Sequence, residues 1–224
     1  MKSFTFYFFK NFLFLIALFL INFSFAEDIS REEKGKLHVA IIEAHDKGNH
    51  HLILDLIKDL MKEGGNVNVP DTYGQTTLHI VSALGYKNIA GLLIKNGAEV
   101  NVKNIVDSQT PLHYTFLHSK EELAKLLIES GAEVNARDKK GQTPLHYASW
   151  FGNIELAKFS LESGAEVNAK NNKGQTPLHY ASMKCNQEIA VLLIKSGANE
   201  SIKDKSGKTA KELADENCIN NLIS

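Results

Sequence analysis

The sequence predicts an all-α solenoid of stacked helix-turn-helix units joined by short hairpin turns. Three observations carry this prediction. A Thr-Pro-Leu-His motif stands at 110–113, 143–146 and 176–179, each 33 residues after the last, and a degenerate Thr-Thr-Leu-His copy stands at 76–79. The copies lead into apolar runs such as Leu92-Leu93-Ile94 and Leu126-Leu127-Ile128, followed by Gly-Ala-Glu-Val-Asn at 97–101, 131–135 and 164–168. A fixed period in this range marks a unit that buries its apolar face by stacking on its neighbours. The composition, 43% hydrophobic and 23% charged over 224 residues, suffices for one medium domain and fits neither general disorder nor a collagen-like fibre.

The amino terminus reads differently from the rest. Lys2 and Lys10 precede an unbroken apolar run from Phe12 to Ile21, and Ser24-Phe25-Ala26 offers small residues where a signal peptidase reads. The run is shorter than the roughly 20 residues that span a bilayer. Residues 1–26 are therefore expected to be a cleaved signal peptide that sends the chain to a secreted or periplasmic location; left uncleaved, they would anchor it to the membrane. Without Lys2 and Lys10 the chain carries 23 basic against 26 acidic residues. That balance does not fit a nucleic-acid binder, which needs a concentrated basic face to displace counterions.

Residues 27–70 are expected to hold a linker and an amino-terminal capping pair of helices. The interval Gly48 to Gly64 is four residues longer than Gly85 to Gly97, which lengthens the second helix by about one turn. Leu37-His38 opens this pair without the Thr-Pro start. In the later units Thr caps a first helix and Pro follows at the first helical position, where its missing N–H would have no partner anyway. Gly85 and Gly152 end that helix in the left-handed conformation. A second helix carries Ile89, Leu92 and Leu93 at helical spacing and stops at the glycine of Gly-Ala-Glu-Val-Asn. A polar Asp-x-x-Gly turn, at 71–74 and 138–141, leads to the next copy.

The 33-residue period, the Asp-x-x-Gly-x-Thr-Pro-Leu-His opening and the Gly-Ala-Glu-Val-Asn close together resemble the ankyrin repeat over four successive copies. The units are expected at 71–103, 104–137, 138–170 and 171–203, with a carboxy-terminal cap at 204–224. The unit at 104–137 has one extra residue near Ile105 and Val106, and Ser108 where the others have Gly74, Gly141 and Gly174. Its turn is expected to be irregular and less stable. Cys185 takes the inter-helix place of Gly85 and Gly152, and Cys218 follows 33 residues later. Packed helices lie about 8–10 Å apart, whereas a disulfide needs Cα atoms within roughly 7 Å. A regular stack therefore predicts unbridged thiols, and only a distorted cap would join them.

His79, His113, His146 and His179 look like a metal ladder. Copies stacked about 10 Å apart cannot share a zinc ion bound at about 2.0–2.1 Å. The resemblance implies instead that each imidazole bonds nearby backbone and the motif threonine. His50 and His51 point in different directions on a helix, and Asp55 adds no recognised metal spacing. The sequence has no nucleophile elbow, phosphate-cradling loop, Cys-x-x-Cys or His-Glu-x-x-His. No enzymatic activity, cofactor or metal is expected.

The resemblance implies a protein partner held on the concave face, formed by the hairpin tips and the exposed side of the first helices. At the family's variable surface positions stand Tyr73 and Leu84, then Leu117 and His118, then Lys139, Lys140, Trp150 and Phe151, then Met183 and Lys184. Trp150 is the sole tryptophan; it serves either as an interface anchor or as packing between first helices. Gln75, Gln109, Gln142 and Gln175 are identical across copies and read as duplication. Tyr114, Tyr147 and Tyr180 read as groove packing. The expected function is a non-enzymatic, exported protein-binding module, monomeric and without a membrane span in the mature chain. The alternative is a periplasmic or envelope protective scaffold that assists a resident enzyme.

Overall fold

The computed structural model describes residues 41–214, apart from 43, 47, 49, 63 and 64. The expected signal peptide and Cys218 lie outside the described residues. Helical backbone at 41–42 and 44–46 precedes α1 (His50–Lys62), whose 13 residues exceed the 9 of the later second helices by the four that the glycine spacing predicts. Four helix pairs follow: α2 (Thr77–Leu84) with α3 (Lys87–Lys95), α4 (Pro111–Leu117) with α5 (Glu121–Glu129), α6 (Pro144–Phe151) with α7 (Ile154–Glu162), and α8 (Pro177–Met183) with α9 (Gln187–Lys195). A last short helix, α10, covers Ala210–Leu213. The first helices pack in file, α2 on α4 on α6 on α8 on α10, and α3, α5, α7 and α9 form a second file. The result is an all-α two-layer stack.

The motif residues build each pair as the sequence predicts. Thr76, Thr110, Thr143 and Thr176 hold extended N-cap backbone, and proline opens α4, α6 and α8. Gly85 and Gly152 close α2 and α6 at φ 84° and 77°. Between the layers, Leu78, Leu112, Leu145 and Leu178 face outer-helix residues such as Ile89 and Leu93, and all are buried. Each such side chain contributes about 1.5–3 kcal/mol. Small Ala90, Ala124, Ala157 and Ala190, also buried, let the two layers approach closely.

Three polar ladders then tie each unit to the next. In the first, the Nδ1 atom of His79, His113, His146 and His179 accepts from the N–H of the capping threonine at 3.1–3.2 Å. The Nε2 atom of each lies 3.1–3.2 Å from a carbonyl of the following unit, that of Gln109, Gln142, Gln175 or Lys208. Since the far partner is a carbonyl, the network assigns the proton to Nε2 in a neutral ring. In the second ladder, Asn68, Asn101, Asn135 and Asn168 donate to the carbonyls of Gly97, Gly131, Gly164 and Gly197 at 2.8–3.1 Å. Each also accepts from the N–H two residues beyond that glycine, at 2.8–2.9 Å. The third ladder, of glutamines and tyrosines, borders the surface and is described below.

Two expectations need correction or refinement. Cys185 is disulfide-bonded, so the prediction of unbridged thiols fails. That prediction used the spacing of helix axes, but Cys185 sits in the turn between α8 and α9 at φ 56°, where helix-axis spacing does not govern the backbone. The turn at 104–109 is longer by one residue, yet its frame is regular: Asn104 N–H donates to the Gln109 carbonyl at 2.9 Å, as Asp138 N–H does to Gln142 at 3.0 Å. Ser108 takes the left-handed place of the missing glycine, at φ 54°.

Ser108→Gly removes the left-handed strain of a side-chain-bearing residue and is expected to stabilise the protein by about 0.5–1 kcal/mol, net of the extra freedom glycine gains on unfolding. Urea unfolding checks this; an unchanged or lowered midpoint would refute it. Burial lowers the pKa of His146 from 6.5 to about 4. As pH falls, the unfolded chain takes the proton first, so this contribution to stability is full above pH 6.5 and is lost on the way down to pH 4. The depression corresponds to about 3 kcal/mol. The stability difference between the protein and its His146→Gln variant should therefore shrink between pH 7 and about 4, and a difference independent of pH in urea titrations would show that the ring is not held neutral.

Candidate protein-binding surface

Each hairpin turn is organised by the residue that opens it. The Asp138 carboxylate accepts from the N–H groups of Lys140 and Gln142, both at 2.8 Å, and Asp71, Asn104, Asn171 and Asp204 do the same in their own turns. With the turn satisfied from within, the residues at its tip are left outward. Successive tips are joined edge to edge by backbone bonds: Ile105 N–H to the Tyr73 carbonyl, Lys139 to Asp107, Asn172 to Lys140 and Lys205 to Lys173, at 2.7–3.0 Å. The tips thus form one continuous strip with fixed spacing.

Behind the strip runs the third ladder. Gln75, Gln109 and Gln142 donate from Nε2 to the hydroxyl of Tyr114, Tyr147 and Tyr180 in the next unit, at 2.7–2.9 Å. Tyr147 in turn donates to the Asp138 carboxylate at 2.8 Å, while Asn104 and Asn171 donate to Tyr114 and Tyr180 at 3.0 Å. The rings stand edge-on to the histidine of the preceding unit, with centroids 5.3–5.8 Å apart. Burial pushes all three phenol pKa values up. The glutamines stand at surface positions of the repeat, yet here they are committed to holding one unit against the next.

The sequence-predicted residues fall into two rows. Tyr73, 60% exposed, and the exposed Lys139 and Lys140 stand on the tips. Leu84, Leu117, Phe151 and Met183 end their first helices, with His118 and Lys184 in the cap positions of α4 and α8 and Trp150 one residue before the end of α6. A first helix of 8 residues separates the rows by about 12 Å. Within the second row the structure brings three groups together. The Lys184 ammonium lies 4.0 Å from the centre of the Trp150 ring, and Tyr180 meets that ring edge-on at 5.5 Å. Trp150 keeps 36% of its surface exposed and Phe151 keeps 48%. Trp150 thus packs on Tyr180 and Lys184 and keeps part of its surface exposed. His118 is exposed and leans on Tyr114 at 6.4 Å; partial burial and nearby Lys120 lower its pKa.

Sequence reasoning missed Ile105 and Val106, which are 66% and 45% exposed on the tip beside Tyr73. The signal was present: an Ile-Val pair stands where the other tips carry Lys139-Lys140, Asn172-Lys173 and Lys205-Ser206. Among the described residues, no three His, Cys, Asp or Glu side chains are grouped to hold a metal ion, and no helix is long and apolar enough to cross a membrane.

A family model of three ankyrin repeats matches residues 37–138 and 97–171, and a second ankyrin-repeat model matches 151–194. An ankyrin repeat-containing protein of Caenorhabditis elegans is 26% identical over 97 residues, which cover 40% of this chain and 8% of that protein. Ankyrin repeats are generally protein–protein interaction modules, and proteins of the family are typically non-enzymatic scaffolds. The repeat motifs, the two-layer stack and the matched models, which together span well over half of the sequence, make the chain a member of the ankyrin-repeat family.

Proposed function

We propose that this protein is an exported, non-enzymatic, monomeric docking module that holds a protein partner on the surface formed by its hairpin tips and first-helix ends. The observation that carries the reading is the exposed pair Trp150 and Phe151 on a scaffold whose recurring histidines, asparagines and glutamines are already bonded from unit to unit. Large aromatic side chains that are fixed but exposed are the groups that dominate interface energies, because they bury much area and lose little conformational freedom. Lys184 stacked on Trp150 restricts the indole further. Export is supported by the apolar run behind Lys2 and Lys10 and by the disulfide at Cys185, since disulfides persist in oxidising compartments.

Changing Trp150 and Phe151 together to alanine should abolish crosslinking to a partner identified by mass spectrometry, while the chain keeps its helical content and cooperative thermal unfolding, with a midpoint lowered by the lost packing of Trp150 on Tyr180. Undiminished crosslinking to the same partner would exclude this site. For export, the intact mass of protein recovered from the medium or envelope should correspond to a chain beginning at Glu27. A full-length mass would instead mean a tethered scaffold.

A further inference from the structure

The strip of hairpin tips changes chemical character along its length. At its amino-terminal end Tyr73, Ile105 and Val106 expose large apolar surface. Further on, the tips present Lys139 and Lys140, then Lys173, then Lys205, all exposed. The carboxylates of this second half, Asp138 and Asp204, are turned inward and bonded to the N–H groups of their own turns. Every glutamate between residues 99 and 200 lies on the outer helices or in the turns that leave them. The ion pairs between described residues, Lys87–Glu122, Lys125–Glu122 and Arg137–Glu166, lie on that outer side, and none of the four tip lysines takes part in one. Lys173 and Lys205 also flank a groove of about 440 Å³ between their two tips, lined in addition by Asn172, Gln175, Asp204 and Ser206.

We propose that this two-part strip binds an extended acidic segment of the protein partner, with large apolar residues seated on Tyr73, Ile105 and Val106 and carboxylates facing Lys139, Lys140, Lys173 and Lys205. The inference rests on the docking function proposed above and names the chemistry of its partner. The geometry sets the spacing. Each unit advances the strip by two backbone strands about 4.8 Å apart, hence by roughly 10 Å. An extended polyproline-II-like segment rises about 3.1 Å per residue with three residues per turn, so every third side chain returns to the same face after about 9 Å. Carboxylates three residues apart therefore keep register with Lys140 and Lys173, which are equivalent in successive units, while Lys205, bonded through its N–H to the Lys173 carbonyl, stands on the neighbouring strand about 5 Å from Lys173 and reinforces that end. A general polyanion would satisfy the lysines and leave the apolar half of the strip uncovered.

The test is selection from a displayed library of random segments of about 12 residues, long enough to run the strip at about 3.1 Å per residue, against the full chain. The expected result is enrichment of Asp and Glu at three-residue spacing beside an apolar cluster. Ile105→Ser with Val106→Ser should remove the apolar preference and keep the acidic one. Reversing Lys139, Lys140, Lys173 and Lys205 to Glu should switch the selected charge to Lys and Arg. Should the fourfold variant fail to fold, Lys173→Glu alone, whose side chain makes no described bond, should weaken a selected segment by about tenfold, through like-charge contact. Selection with no acidic bias, affinity unchanged by charge reversal, or equally tight binding of heparin or duplex DNA would overturn the proposal. The two readings fail separately: absence of acidic selection while crosslinking still depends on Trp150 and Phe151 removes the strip proposal alone, whereas absence of any crosslinked partner removes the docking reading.

Discussion

The structure depends on one constraint: the polar groups buried at the boundary of each unit find their partners in the unit that follows. The Nε2 atom of His146 reaches the Gln175 carbonyl and Gln142 reaches the Tyr180 hydroxyl, while at the exposed edge of the stack Asn135 reaches the backbone of Gly164 and Glu166. A buried donor or acceptor left without its partner costs about 1–3 kcal/mol. A unit standing alone would carry several such groups as well as an uncovered apolar face. Stacking relieves both at once, which is why the array folds as a quasi-one-dimensional object with strong nearest-neighbour coupling.

The same constraint decides what remains for a partner. Asp138 and the glutamines stand near the surface but are bonded inward, and the tyrosines are held by glutamine on one side and by the turn on the other. What is left outward is a small set of side chains whose backbone is fixed by the stack: the tips and the ends of the first helices. Segments rigidified before binding lose less entropy on association. A surface built this way presents a few residues at fixed spacing, and its chemistry changes from unit to unit while the scaffold beneath does not.

Departures from the repeat are where the units acquire individual character. The extra residue at 104–108 leaves the hydrogen-bond frame of the turn intact and places two apolar side chains at its tip. Ser108, Ser119 and Cys185 accept left-handed backbone where other units use glycine. At Cys185 that turn position also carries a disulfide. Conformational cost tolerated at single positions is compatible with a stack whose stability is shared among neighbours.

The sequence by itself determined the all-α stack, the Thr-Pro starts and glycine ends of the first helices, and the extra turn of α1, because these follow from backbone propensities and spacings within a single unit. It also marked Trp150 and Phe151, since residues that break a repeat stand out in the pattern. Only the tertiary structure decided that Gln75, Gln109 and Gln142 are structural, that Asn101 and its equivalents grip the next glycine, and that Ile105 and Val106 stand exposed beside Tyr73. It also separated the tip lysines from the aromatic row by the length of one helix. The glutamine and asparagine bonds and the placing of Ile105 beside Tyr73 are relations between residues about 30 or more positions apart, and the repeat pattern, which describes one unit at a time, does not contain the distances between units.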